Sequence, residues 1–148
     1  MTRMHFQTTI QRNKETIYAL LIDLQGYPSW LSASSLYRAP LETSDNPIQI
    51  GTTYRDNGLH GRVTELVPES RITFMQTTQL KLLGLPGGLD IQIHYALEPS
   101  DNLSTQVIRD VTIKTHGVLL FVQPVLLRAI RKENERILQR LKWYLEAR

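Results

Sequence analysis

Arg109 and Glu65 are charged side chains within apolar, strand-like sequence, which makes them the first candidates for ligand chemistry. Arg109 shares one face of a predicted strand with Val107 and Val111, and Glu65 is flanked at alternate positions by valines. Burying a guanidinium among apolar groups is costly unless the charge is paired. We therefore expect Arg109 to contact Glu65, another acceptor or a bound ligand.

Two roles for Arg109 stay open. In the first, Arg109 and Glu65 form a structural ion pair, or the guanidinium reaches the edge of the sheet while its stem stays buried. In the second, Arg109 anchors a carboxylate, a carbonyl or an enolate of a ligand through charge-assisted hydrogen bonds. Both require that its face of the strand points inward.

Four neutral polar side chains are placed to add hydrogen bonds in the same region. Gln76 lies on the same face of a predicted strand as Phe74, and Asn134 interrupts the apolar stripe of the last helix. Tyr54 and Tyr95 carry phenolic hydroxyls that can donate to a ligand, although tyrosines in sheets are more often packing residues with a hydrated hydroxyl. No two of these groups form a compelling acid–base pair, so no catalytic residue is predicted.

Residue types and spacing exclude several kinds of chemistry. The chain has no cysteine, which excludes disulfides, thiol catalysis and cysteine-ligated metal centres. The four histidines are scattered and none lies on a predicted helix beside a second ligand, so no metal site is predicted. Residues 84–88 are rich in glycine but lack the Lys-Ser/Thr of a phosphate-binding loop. We therefore expect no cofactor.

The N-terminal part of the chain predicts a strand and two short helices. Residues 4–11 alternate between apolar and polar side chains, as a half-buried strand does. Asn13 is a favourable N-cap for an amphipathic helix over residues 14–23. Gly26 is expected to end that helix, and Pro28 suits the first turn of a second one.

Alternating apolar residues and turn signals predict a run of strands over the middle of the chain. Asn57-Gly58 is a strong hairpin signal, and the glycines and the proline of residues 84–88 predict a loop. The predicted strands cover residues 51–55, 59–67, 71–80, 89–97 and 107–113, and residues 36–41 are a further candidate.

One long helix is predicted at the end of the chain, from Val125 to Glu146. About 22 residues give a rod of roughly 33 Å, which is long enough to cross a sheet. Pro124 either begins this helix or kinks it. Strands followed by one helix indicate an α+β fold, in which a curved antiparallel sheet wraps around the helix and leaves a space for a ligand. The apolar stripe, with members three and four residues apart, comprises Leu127, Ile130, Ile137, Leu141 and Tyr144.

Length, composition and charge indicate one globular domain over residues 1–148. Of the 148 residues, 41% are hydrophobic and 21% charged. The net charge of +3 belongs to the last helix, since residues 128–148 hold seven basic and three acidic side chains. Glu133 and Glu135 interrupt that basic face, so we interpret it as solvated and expect no nucleic-acid partner. No signal peptide or membrane-spanning stretch is visible, and we expect a cytoplasmic protein.

Four short segments carry a resemblance to a known superfamily. They are residues 23–30 (DLQGYPSW), 51–54 (GTTY), 61–68 (GRVTELVP) and 141–146 (LKWYLE). In this order they resemble the START-like superfamily, in particular its polyketide cyclase/dehydrase (SRPBCC) branch. The resemblance implies a helix-grip fold, with a deep, largely apolar cavity between a curved antiparallel sheet and a long C-terminal helix. Members bind lipids, sterols, quinones, polyketides or plant hormones, and only some are enzymes.

Three functions follow as hypotheses. The first is binding of a small hydrophobic or aromatic molecule, such as a lipid, polyketide or quinone, in the cavity. The second is an enzyme of the polyketide cyclase, aromatase or dehydrase type. The third is a peripheral membrane lipid or quinone chaperone that docks through the leucines of residues 80–85 and the basic helix face. We rank membrane contact below binding of a small hydrophobic ligand. The sequence carries no signal for an oligomeric state. The predicted ligand-binding residues, with Trp30 closing one end of the core, are Trp30, Tyr54, Glu65, Phe74, Gln76, Ile93, Tyr95, Arg109, Val111, Ile130 and Asn134.

Overall fold

In the computed structural model, which describes residues 1–34, 42–56, 58–101 and 103–147, the described strands form one curved antiparallel sheet. Their order across the sheet is β1-β7-β6-β5-β4-β3-β2. The two longest strands, β6 and β7, pair along most of their length and form its centre. The strands are β1 (Thr2–Ile10), β2 (Glu42–Thr43), β3 (Thr53–Asp56), β4 (Leu59–Val67), β5 (Arg71–Leu82), β6 (Leu85–Asp101) and β7 (Ser104–Gly117).

The inward faces of β6 and β7 are those that the alternation predicts. Tyr95 and Leu97 of β6 are buried, as are Val107, Arg109 and Val111 of β7. Successive side chains of a strand point to opposite faces, so one buried set fixes the orientation of the whole strand. The strand predicted at residues 36–41 and the Asn57 of the predicted hairpin lie outside the described residues.

The turn between β5 and β6 is tighter than the predicted loop over residues 84–88. Leu83 and Gly84 alone make the turn, with φ of 55° and 80°, the positive values that two-residue hairpin turns require. The prediction of a loop was wrong because residues 85–88 belong to β6, where Gly87 allows close packing. A methyl group at Gly87 would lie 2.9 Å from the Cγ of Leu119.

Helix α1 (Lys14–Leu21) begins at its predicted cap, with Asn13 Oδ1 accepting a hydrogen bond from the Thr16 backbone N–H at 2.9 Å. The helix ends two residues before the predicted end. A 3₁₀ helix (Leu24–Ser29) follows, and Gly26 lies inside it.

The Asp23 side chain caps that 3₁₀ helix. Its Oδ1 accepts from the Gly26 backbone N–H at 3.1 Å, and a Cβ at Gly26 would lie 2.2 Å from the carboxylate. Gly26 therefore makes room for a cap instead of ending α1. Pro28 lies within the same 3₁₀ helix, so the prediction of a second helix beginning there was wrong.

The long helix α2 (Gln123–Glu146) follows a second 3₁₀ helix (Val118–Val122) and packs against the sheet. Pro124 occupies its first turn, so the proline begins the helix and does not kink it. Its C-terminal end is joined to the residue that follows β1, where Gln11 N donates to Glu146 Oε2 at 2.9 Å. This is the predicted helix-grip α+β fold. The buried residues of the helix are Ile130, Asn134, Ile137, Leu138, Leu141 and Leu145.

Candidate functional site

A cavity of about 400 Å³ lies between the inner face of the sheet and α2. This volume lies within the range of small-molecule sites. Leu24, Tyr27 and Leu31 close one side, which explains why the 3₁₀ helix and its cap are needed. The other apolar lining residues include Leu59, Phe74, Leu89, Ile91, Ile93, Leu119, Leu126, Ile130 and Ile137.

Three aromatic rings form one wall of the cavity. Phe74 makes edge-to-face contacts with Tyr54 and Tyr95, with ring centroids 5.9 and 6.4 Å apart. Gly61 pairs with Tyr54 across the sheet, and a Cβ there would lie 2.1 Å from the ring of Tyr54. Gly61 lies within β4, and its lack of a side chain provides space for that ring.

Arg109 forms the centre of a buried polar cluster at the cavity. Its side chain is only 6% exposed, and its Nε donates to Asn134 Oδ1 at 2.6 Å. Its Nη1 donates to the hydroxyl of Tyr95, whose ring centroid lies 5.0 Å from the guanidinium carbon. The amide of Asn134 donates in turn to the Ile130 carbonyl oxygen at 2.8 Å, which orients Oδ1 toward the guanidinium.

The guanidinium of Arg109 retains donors for a further partner. A guanidinium has five N–H donors, and Asn134 and Tyr95 accept two of them. Within the described residues no carboxylate is in ion-pair contact with Arg109 and no partner accepts from its Nη2, while Arg109 lines the cavity. A positive charge with free donors is thus held in fixed geometry inside a mostly apolar space.

Tyr54 adds a second polar group to the wall. Its hydroxyl donates to Gln76 Oε1 at 2.8 Å, and both residues line the cavity. Burial raises the pKa of Tyr54 far above its usual value, while the charge of Arg109 opposes the shift. Tyr54 therefore stays protonated and acts as a hydrogen-bond donor.

Glu133 places a carboxylate at the cavity, and the sequence analysis missed it. It accepts from Arg136 Nε at 2.7 Å and from Ser34 Oγ at 2.6 Å. Burial alone would raise the pKa of Glu133, but these hydrogen bonds and the charges of Arg136 and Arg109 lower it overall. The signal was its spacing of three and four residues from Ile130 and Ile137, which places it beside the buried stripe.

Most of the predicted ligand-binding residues come together at the cavity. Trp30 is buried but does not line it; its ring packs on that of Tyr27, which does, at a centroid distance of 4.8 Å. Val111 is also buried outside the lining. Those that line the cavity are Tyr54, Phe74, Gln76, Ile93, Tyr95, Arg109, Ile130 and Asn134.

Glu65 lies on the opposite face of the sheet, and its predicted pairing with Arg109 was wrong. Val63 pairs with Phe74, but the next paired residue of β4 is Glu65, which lies opposite Thr73. One extra residue in β4 therefore makes a bulge that turns the following side chains to the other face. Glu65 is instead 3.4 Å from His94 and 3.7 Å from Arg71.

Further lining residues follow patterns that the sequence displays. Leu89 and Ile91 share one face of β6 with Ile93 and Tyr95, because all four are two residues apart. Their period-2 spacing could therefore have identified them. In the described part of the chain, no group of three or more His, Asp or Glu side chains is arranged to hold a metal ion. Among the helices described, none is long and apolar enough to cross a membrane.

The fold and the cavity define a helix-grip protein with a site for a small molecule. The chain belongs to the family described as polyketide cyclase/dehydrase and lipid transport, whose sequence pattern matches residues 1–146. A comparison with curated proteins gave no match.

Solved structures with the same fold cover nearly all of this chain. The Aha1 dimer from Colwellia psychrerythraea is 22% identical with a TM-score of 0.65, covering 99% of this chain and 97% of that one. A START superfamily protein from Mycobacterium smegmatis is 14% identical with a TM-score of 0.53, covering 98% and 97%. The di-domain ARO/CYC BexL from the BE-7585A biosynthetic pathway is 16% identical with a TM-score of 0.66, covering 96% of this chain and 45% of its own. At these identities the likeness shows the fold alone.

Proposed function

We propose that this protein binds a small, largely apolar or aromatic molecule that carries one anionic or carbonyl oxygen. The observation behind this is the Arg109 guanidinium, which faces the cavity with neutral partners and unused donors. A buried cation without a carboxylate in direct contact is costly, and an anionic ligand would offset that cost. The apolar walls would bury the rest of the molecule, and the aromatic wall favours a flat ring system.

Family membership supports hydrophobic-ligand binding or polyketide cyclisation at a coarse level, and the ionisable groups favour binding. A cyclase-type reaction would need a group that takes or gives a proton near neutral pH. The lowered pKa of Glu133 makes its carboxylate a weak base, and the raised pKa of Tyr54 makes its hydroxyl a weak acid. Near neutral pH, Glu133 therefore stays charged and Tyr54 stays neutral. Groups that do not exchange protons favour a binding site over a catalytic one.

A pair of matched probes tests the proposal. 2-Naphthoate has an aromatic body and a carboxylate, and naphthalene has the same body without it. We expect Arg109→Leu to weaken 2-naphthoate binding by about tenfold to a hundredfold, as the loss of a charge-assisted hydrogen bond does, and to leave naphthalene binding within about twofold. Fluorescence of Trp30 in a Trp143→Phe background reports binding, because Trp30 contacts the cavity-lining Tyr27.

Arg140→Leu is the matched control, since it removes the same charge from an exposed position on α2. It should leave the affinity for both probes unchanged. Equal loss of both probes in the Arg109 variant would mean a damaged cavity and would contradict an anchoring role. Failure of the wild-type protein to bind either probe would argue against a binding site for such molecules.

A further inference from the structure

A group of large apolar side chains is exposed at one end of the molecule, where the β5–β6 turn meets the second 3₁₀ helix and the start of α2. Leu83 is 95% exposed and Phe121 is 87% exposed. Contiguous exposed apolar surface marks interaction sites far more often than single apolar residues do. We call this surface the apolar tip, and it comprises Leu80, Leu83, Leu85, Leu120, Phe121 and Val125.

The two segments of the apolar tip are held together by close backbone packing. Gly87 pairs with Gly117, the last residue of β7, so the 3₁₀ helix begins beside the base of the hairpin. A Cβ at Gly87 would lie 2.9 Å from Leu119, which leaves no gap between them. The turn at Leu83 therefore extends four residues past this pair, roughly 13 Å along the strand. The tip is thus a protruding surface built on a strand pair and the adjoining 3₁₀ helix.

The charges around the apolar tip are mostly positive. Lys81 lies within the hairpin, Lys114 is exposed near the end of β7, and Arg128 and Lys132 lie one and two turns after Val125 on α2. Of the acids nearby, Asp90 is paired with His116 at 2.6 Å, Glu133 is paired with Arg136 at 2.7 Å, and Asp56 lies at the cavity.

We propose that the apolar tip docks on the surface of a lipid bilayer that contains anionic lipids. Exposed leucine and phenylalanine side chains would enter the headgroup–acyl boundary, and the surrounding cations would contact the anionic headgroups. Membrane docking was the third hypothesis drawn from the sequence. The structure adds that the hairpin lies next to the segment with Phe121 and Val125, which the sequence pattern does not show. Leu80 both lines the cavity and is exposed, so the docked surface borders the cavity.

Vesicle flotation with the full chain tests this surface. We expect the protein to float with phosphatidylcholine vesicles that contain phosphatidylserine, to float less with phosphatidylcholine alone, and to dissociate as salt is added. Leu83→Ser and Phe121→Ser should each lower the partition coefficient about tenfold or more. Lys81→Ser should lower it about fivefold on the anionic vesicles alone.

Leu103→Ser is the matched control, because Leu103 is an exposed leucine of the β6–β7 turn, at the other end of these strands. It should leave flotation unchanged. Absence of flotation, or equal loss in the Leu103 and Leu83 variants, would overturn the proposal. So would a concentration-dependent dimer in light scattering that Leu83→Ser and Phe121→Ser abolish, because the tip would then be covered by a second copy. Arg109→Leu should leave flotation unchanged, which separates docking from ligand binding in the cavity.

Discussion

Two polar clusters lie on opposite faces of the same strands, and they differ in whether a charged side chain has a partner of opposite charge. Tyr95 and His94 are consecutive in β6, yet Tyr95 contacts the buried Arg109 while His94 lies 2.6 Å from the hydroxyl of Thr73 on the outer face. The outer cluster contains a carboxylate, since Thr73 also donates to Glu65 Oε1 at 2.9 Å. The inner cluster has only neutral partners for its cation.

This difference indicates which of the two clusters is available to bind a ligand. On the outer face, the Glu65 carboxylate accepts a hydrogen bond from Thr73 and lies near Arg71 and His94, and solvent reaches its remaining lone pairs. On the inner face, Arg109 is buried and its direct hydrogen-bond partners are neutral, while the Glu133 carboxylate acts on its charge only through space. Polar groups that are already paired with one another have little to offer a ligand. A buried cation with unused donors can bind an incoming anion.

The largest expected effect is the difference in stability loss between a substitution in the core and one on the outer face of the sheet. Leu141 of α2 is 0% exposed, and Met75 on the outer face of β5 is 42% exposed. We expect Leu141→Ala to lower the free energy of unfolding by about 2–5 kcal/mol, through lost burial and a cavity. Met75→Ala should change it by about 0.5 kcal/mol or less. Urea denaturation followed by circular dichroism measures both, and a loss below about 1 kcal/mol for Leu141→Ala would contradict the assignment of this stripe to the core.

A smaller effect is expected from the inner polar cluster itself. Asn134→Leu removes the acceptor of Arg109 Nε and should cost about 1–3 kcal/mol of stability, since a buried donor is left without a partner. Adding Arg109→Leu should recover part of that loss, because the cation is then gone as well. The double-mutant cycle measures the coupling between the two residues. Strictly additive losses would show that Asn134 does not compensate the Arg109 charge.

The smallest effect is expected on the outer face. Glu65→Gln keeps the hydrogen bond from Thr73 but removes the ionic attraction to Arg71, and exposed ion pairs contribute about 0.2–1 kcal/mol. We expect a loss of stability within that range and no change in the affinity for 2-naphthoate. Isothermal titration of the variant with this probe is the sharper measurement, because an altered affinity would place Glu65 in the inner site after all.

Strict patterns in the sequence predicted the inner face well. Alternation along β6 and β7 requires Tyr95 and Arg109 to share the side of the core residues, because a strand cannot turn a single side chain over without an irregularity. The spacing of three and four residues likewise predicted that Ile130, Asn134 and Ile137 lie together on the buried side of α2. These features depend on backbone periodicity alone, so they can be read from the chain.

The partners of Arg109 were decided only by the tertiary structure. The bulge after Val63 has no local signature in the sequence, yet it places Glu65 on the outer face, where it cannot pair with Arg109. The contact to Asn134 depends on where α2 crosses the sheet, 25 residues further along the chain. By itself the sequence determined which side chains face inward, because each strand and helix repeats with a fixed period. Which of them meet depends on strand register and helix placement, which the packing of the whole core sets.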